Sequence, residues 1–134
     1  MRPYATHEDI EVCRRLHKQY GTTYYFSTLR FPKQIRNRVH SLYGFVRVAD
    51  EFVDNPGEAS KQETLLKLAD WRRQMIDGLN GKRPDHPAMR AFCDLLRECE
   101  VPTSEADCFM DAMEMDLWKS RYATYDELRQ YMRG

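Results

Sequence analysis

Two carboxylates one helical turn apart, Asp50 and Asp54, offer the most specific chemistry in the sequence. They close a run from Pro32 to Gly57 that reads as one long helix. A spacing of four puts both on one face, where two hard oxygen ligands suit Mg²⁺ shared with a substrate phosphate. Arg47, one turn earlier, has two uses: it can hold a phosphate oxygen or close an ion pair with Asp50. The position is unusual for acids. Asp50, Glu51 and Asp54 fall in the last turns, where the helix dipole disfavours anions by about 0.3–1 kcal/mol each. A local rule broken without local gain points toward function. The competing reading of the row Arg36, His40, Tyr43, Arg47, Asp50 and Asp54 is a solvated face closed by salt bridges.

Other constellations are weaker. Asp107 and Asp111 repeat the spacing, with Glu114 next in the row, and read as a plain polar flank. Asp85 and His86 form a nominal acid–base pair, but Pro84 and Pro87 enclose them and make a surface turn the better reading. Cys13, Cys93, Cys99 and Cys108 show no CxxC spacing and no histidine at zinc-ligand distance, so reduced and mostly buried thiols are expected. The 21 basic and 21 acidic residues cancel, and no basic run interleaved with aromatics occurs, which argues against nucleic-acid binding. No apolar stretch approaches membrane-spanning length and the polar N-terminus lacks a signal-peptide core, so a soluble, cytoplasmic protein is expected.

The elements that must position these residues all read as helices, within one domain of 134 residues. Thr6 caps a first helix through Ile10, Cys13, Leu16 and Tyr20, and Gly21 ends it. Thr22 to Phe31 is rich in aromatic and β-branched residues, yet no second strand exists to pair with it, so a short helix or turn is expected. In the long helix Ile35, Val39, Leu42, Val46, Ala49 and Val53 form the expected core stripe. Ser60 to Glu63 is a capping box, followed by Leu65, Leu68, Arg72, Met75 and Leu79 up to Gly81. Further helices are expected from Ala88 to Cys99, from Ser104 through Ala106, Phe109, Met110, Met113 and Leu117, and from Thr124 through Tyr131.

Taken together, Thr22-Thr23-Tyr24-Tyr25, Leu29-Arg30-Phe31-Pro32 and the run from Leu42 to Asp54 resemble the squalene/phytoene synthase family. These are the head-to-head trans-isoprenyl diphosphate synthases. Met113 to Leu117 and Tyr122 to Tyr131 look like the stretch preceding that family's second half. The resemblance implies an all-α helical bundle of the isoprenoid-synthase type, here truncated to its N-terminal helices. It implies a Mg²⁺-dependent prenyltransferase that joins two prenyl diphosphates: phytoene from geranylgeranyl diphosphate, or squalene or dehydrosqualene from farnesyl diphosphate. Asp50 and Asp54 would be the first aspartate-rich motif and hold Mg²⁺, and Arg47 would contact the diphosphate. Thr22, Thr23 and Tyr24 align with a Lys-Ser-Phe-like segment that closes over the diphosphate, with Thr22 where the family is basic. Tyr43 would line the cavity and Tyr131 would lie near the reacting diphosphate. The family's second aspartate-rich motif has no counterpart, and Asp107 and Asp111 do not align with it. Residues 1–134 are therefore expected to be the N-terminal half of such a domain, inactive alone, or a non-catalytic diphosphate-binding subunit needing a partner chain. Self-association through exposed apolar faces and peripheral membrane contact for a lipid product belong to the same expectation.

Overall fold

The computed structural model describes residues 2–54 and 61–122, excepting the side chains of residues 22–24, 54, 61 and 117–122. The described residues form six helices: α1 His7–Tyr20, α2 Thr22–Thr28, α3 Lys33–Asp54, α4 Lys61–Leu79, α5 Pro87–Glu98 and α6 Thr103–Tyr122. Among the described residues there is no strand, and none of the helices is long and apolar enough to cross a membrane. The expected all-α architecture is what the chain adopts. The Ser60 and Thr124 caps and Tyr131 lie outside the described residues.

The first helix starts as its sequence dictates. Thr6 Oγ1 accepts from the Asp9 amide at 3.2 Å and Asp9 returns the favour to the Thr6 amide at 2.9 Å, a reciprocal capping box. Gly21 ends α1 through its N–H to the His17 carbonyl at 2.9 Å. Its lack of a side chain matters for a second reason: a Cβ there would stand 2.9 Å from Cε2 of Tyr43. The segment with strand-like propensity becomes α2, packed against α1, and no strand stands among the described residues for it to pair with.

Helix α3 is the axis of the packing, with α1 on one side and α5, α4 and α6 on others. Phe45 sits at its centre, fully buried, stacked on Phe92 of α5 at 3.8 Å and on Trp71 of α4 at 5.5 Å between ring centroids. Gly44 faces α1 so closely that a Cβ would lie 2.7 Å from Cys13 Sγ. The buried face is thus His40, Ser41, Gly44, Phe45, Ala49 and Val53. This corrects the expected stripe: Ile35 and Leu42 are exposed, at 43% and 39%. A helix contacted on several sides buries a broad face. Two polar residues on it are satisfied internally, His40 by His17 at 3.0 Å and Ser41 by the Asn37 carbonyl at 2.8 Å.

Helix α4 is rotated in the same way. Thr64, Leu68, Trp71, Met75 and Gly78 face inward, whereas Leu65 of the expected stripe is exposed, as is its neighbour Leu66. In α6 Ala106, Met110 and Met113 are buried as expected, and Phe109 stands half exposed. The thiols divide: Cys13 and Cys93 are buried, and burial pushes both up to about 12, but Cys99 and Cys108 are exposed, against the expectation of mostly buried cysteines. His86 caps α5, accepting from the Ala88 amide at 3.0 Å, so the Asp85–His86 pair is a turn as read.

An N-terminal clasp, not legible from periodicity, ties the chain start to α5. Asp94 accepts from the Tyr4 and Ala5 amides, both at 2.8 Å, and pairs with Arg97 at 2.6 Å. Asp9 receives Arg90 in two bonds of 2.8 Å, with only 13% and 7% of the two side chains exposed. The Arg90 guanidinium holds the Asp9 carboxyl down at about 2.

Candidate functional site

The candidate site lies where the ends of α1 and α3 meet the start of α2. Arg47 is its best-defined member. Its Nη1 donates to Asp50 at 2.7 Å, its Nη2 to Glu51 at 2.5 Å, and its Cζ lies 3.9 Å over the Tyr20 ring. Three neighbours fix a guanidinium whose side chain is 16% exposed, while Asp50 and Glu51 remain 26% and 48% exposed. Of the two uses read from the sequence, the ion pair with Asp50 is the one formed, and it stands at a partly exposed rim. An apolar cavity of about 230 Å³, lined by Leu16, Tyr20, Val48 and Phe52 with Arg47 and Glu51, borders it.

Tyr43, one turn back on the same face, stacks on His17 at 4.6 Å and 24°. Burial pushes its phenol up, and Arg47 opposes that shift while Asp50 and Tyr20 reinforce it. The four groups therefore share one electrostatic environment. Beneath Tyr43, the Nδ1 atoms of His17 and His40 stand 3.0 Å apart, so one donates and the other accepts, within an aromatic cage completed by Tyr25. Burial, and then the neighbouring His17, hold His40 down at about 4, and burial lowers His17 as well.

The expected residues are only partly assembled in view. Arg47, Asp50 and Tyr43 share one face of α3. The backbone of Thr22, Thr23 and Tyr24 opens α2 directly after Gly21, and Asp54 ends α3, but their side chains lie outside the described set, as does all of Tyr131. Glu51 is the second partner of Arg47. Among the described residues no three His, Cys, Asp or Glu side chains gather as a metal site. Asp107, Asp111 and Glu114 converge instead on Arg72, at 3.0, 2.5 and 3.0 Å, and pin α6 to α4. The sequence reading missed Tyr20 as the platform for Arg47. It also missed the His17–His40 pair. The available signal was that Cys13, His17 and Tyr20 share one α1 face.

An all-α chain built on a long central helix, with an arginine and spaced acids at that helix's end, defines a helical-bundle protein with a charged site at its rim. The comparisons narrow this class. The squalene/phytoene synthase family model matches residues 17–134, and the chain belongs to that family. It is 32% identical over 127 residues to the 15-cis-phytoene synthase of Synechocystis sp., covering 95% of this chain and 37% of that protein. It is 33% identical over 132 residues to the phytoene synthase of Arthrospira platensis, covering 98% and 42%. It is 31% identical over 124 residues to the chloroplastic phytoene synthase 2 of Solanum lycopersicum, covering 92% and 39%. The chain thus spans about two fifths of the length of these relatives. No solved structure matches.

Proposed function

We propose that this chain binds the diphosphate of a prenyl diphosphate and serves a head-to-head prenyl transfer. Phytoene formation is the reaction the names of its relatives support, with geranylgeranyl diphosphate the substrate implied by the family resemblance. The observation that carries the reading is the rim cluster of Arg47, Asp50 and Tyr20 at the end of α3. The donor set fits a hard cation: Asp50 keeps an accessible carboxylate, and Asp54 follows one turn later. In this reading Asp50 and Asp54 hold Mg²⁺, which when bound neutralises charge on the departing diphosphate.

The chain's own residues do the rest. The Arg47 guanidinium, already positioned by Tyr20, turns from Asp50 to a diphosphate oxygen and exchanges one charge-assisted bond for another. The exchange takes the guanidinium bond off Asp50 Oδ2. Glu51 stays on Arg47 and keeps it in place. Leu16, Val48 and Phe52 exclude water from one flank of the site. In this reading Thr22, Thr23 and Tyr24 at the start of α2 close over the diphosphate and Tyr131 contributes near the reacting diphosphate. Tyr43, expected in the cavity, is instead stacked on His17 and is not among the residues that line the cavity beside Arg47. Residues 1–134 supply the Asp50–Asp54 side of the site. The opposing acids are not Asp107 and Asp111, which Arg72 occupies.

Equilibrium binding of a non-hydrolysable prenyl diphosphate analogue tests the reading. Arg47→Gln should weaken binding at least tenfold, by loss of a charge-assisted bond worth about 1.5–3 kcal/mol, and Glu51→Gln by much less. Equal binding by wild type and Arg47→Gln would refute it.

A further inference from the structure

A second cavity, of about 340 Å³, opens at the other end of α3, between the first turns of α1 and α3 and the buried side of α2. That volume is at the small end of ligand cavities, which run from about 300 to 1,000 Å³. Its charge is one-sided. Arg14, Lys33 and Arg36 line it against a single carboxylate, Glu11. Glu11 is already spent on Arg14 at 2.5 and 2.7 Å and on Arg15 at 3.4 Å. Arg36 has no ion-pair partner among the described residues, and its Nε is buried without a hydrogen bond.

An orphaned buried guanidinium N–H is costly, and such groups call for a partner. Tyr25 adds a hydroxyl. Only 6% of the residue is exposed, and its oxygen accepts from Arg14 Nη1 at 2.8 Å, which leaves its proton to donate. The wall also contains His40, which Arg14 and Arg36 help to keep neutral after burial and His17 have acted. An anion here would meet donors from three helices: Arg14 on α1, Tyr25 on α2, and Lys33 and Arg36 on α3.

We propose that this cavity is a second anion site that binds a phosphate group through Arg36, Lys33, Arg14 and the Tyr25 hydroxyl. It is separate from the Arg47 site: eleven residues along α3 place the two arginines about 16 Å apart. It needs no metal, because its one carboxylate is engaged by arginine. A tetrahedral oxyanion suits the arrangement, since Arg36 and Arg14 offer fork-shaped donors and Lys33 a point charge. The phosphate can come from a free small ion or from a lipid headgroup.

Inorganic phosphate, titrated calorimetrically into the full chain in chelator and without Mg²⁺, tests the proposal directly. Saturable one-site binding is expected, weakened at least tenfold by Arg36→Gln and several-fold by Lys33→Gln. Arg73→Gln, an equal charge change on the exposed face of α4, should leave it unchanged. Circular dichroism of each variant secures the fold, and Arg36→Lys should recover part of the affinity. Flotation with phosphatidylglycerol against phosphatidylcholine vesicles assigns the source. Arg36-dependent capture by the anionic vesicles identifies a headgroup, and Arg36-dependent binding of free phosphate alone identifies a small ion. Neither phosphate nor anionic-vesicle binding in wild type, or binding indifferent to Arg36→Gln, would overturn the proposal.

Discussion

Acid should destabilise this protein in a window that belongs to two histidines. His40 is 3% exposed and His17 1%, and their Nδ1 atoms share one hydrogen bond, which needs at least one ring to stay neutral. His40 is held at about 4 in the folded chain, against an ordinary value of 6.5. The folded value lies below the unfolded one, so the unfolded chain takes up protons first as pH falls. The stability that depends on neutral imidazole is complete above about pH 6.5 and is lost progressively toward pH 4. At about 1.4 kcal/mol per pH unit, the loss between pH 6.5 and pH 4.5 is about 2 to 3 kcal/mol. Asp9, held at about 2, gives up its stability only below this window. Urea denaturation followed by far-UV circular dichroism at several pH values measures the slope. The double variant His17→Phe, His40→Phe removes donor and acceptor together, leaves no orphan in the aromatic cage and should flatten most of that slope. His86, lowered chiefly by burial, accounts for the residue. An unchanged slope in the double variant would refute the reasoning.

Other perturbations follow from the packing. Arg90→Ala strands the Asp9 carboxylate in a buried clasp and should cost about 3–5 kcal/mol, read as a lower urea midpoint at neutral pH. Phe45→Ala removes the ring between Phe92 and Trp71 and should cost about 3–5 kcal/mol in the same assay. Gly44→Ala drives a methyl group to 2.7 Å from Cys13 Sγ, costing about 1–3 kcal/mol, and Cys13→Ala should relieve part of that strain in a double-mutant cycle.

The helices could be read from the sequence because their boundaries rest on local chemistry. Thr6, Gly21 and Gly81 act within a turn or two of themselves and each marks an observed helix end or start, while the helix expected from Ala88 begins one residue earlier, at Pro87. Which residues face inward was less legible. Periodicity finds an apolar stripe but not how many neighbours a helix has. With α1, α4, α5 and α6 all touching α3, the buried face widened to include His40, Ser41 and Gly44 and left Ile35 and Leu42 outside. Long-range ion pairs were invisible for the same reason. Nothing in the spacing of Arg72 and Asp107, or of Asp9 and Arg90, announces that they meet. At the candidate site the spacing of Arg47 and Asp50 implied a shared face, which the 2.7 Å bond displays, whereas Tyr20 came from a different helix and needed the fold to bring it there.

We propose that Asp50 and Asp54 hold a metal that bridges to a prenyl diphosphate. The measurement that bears on this is binding of a prenyl diphosphate analogue to the full chain with and without Mg²⁺. Binding should require Mg²⁺ and be abolished by Asp50→Ala or Asp54→Ala in variants that retain wild-type helicity. Binding that is indifferent to Mg²⁺ and to both substitutions would contradict it.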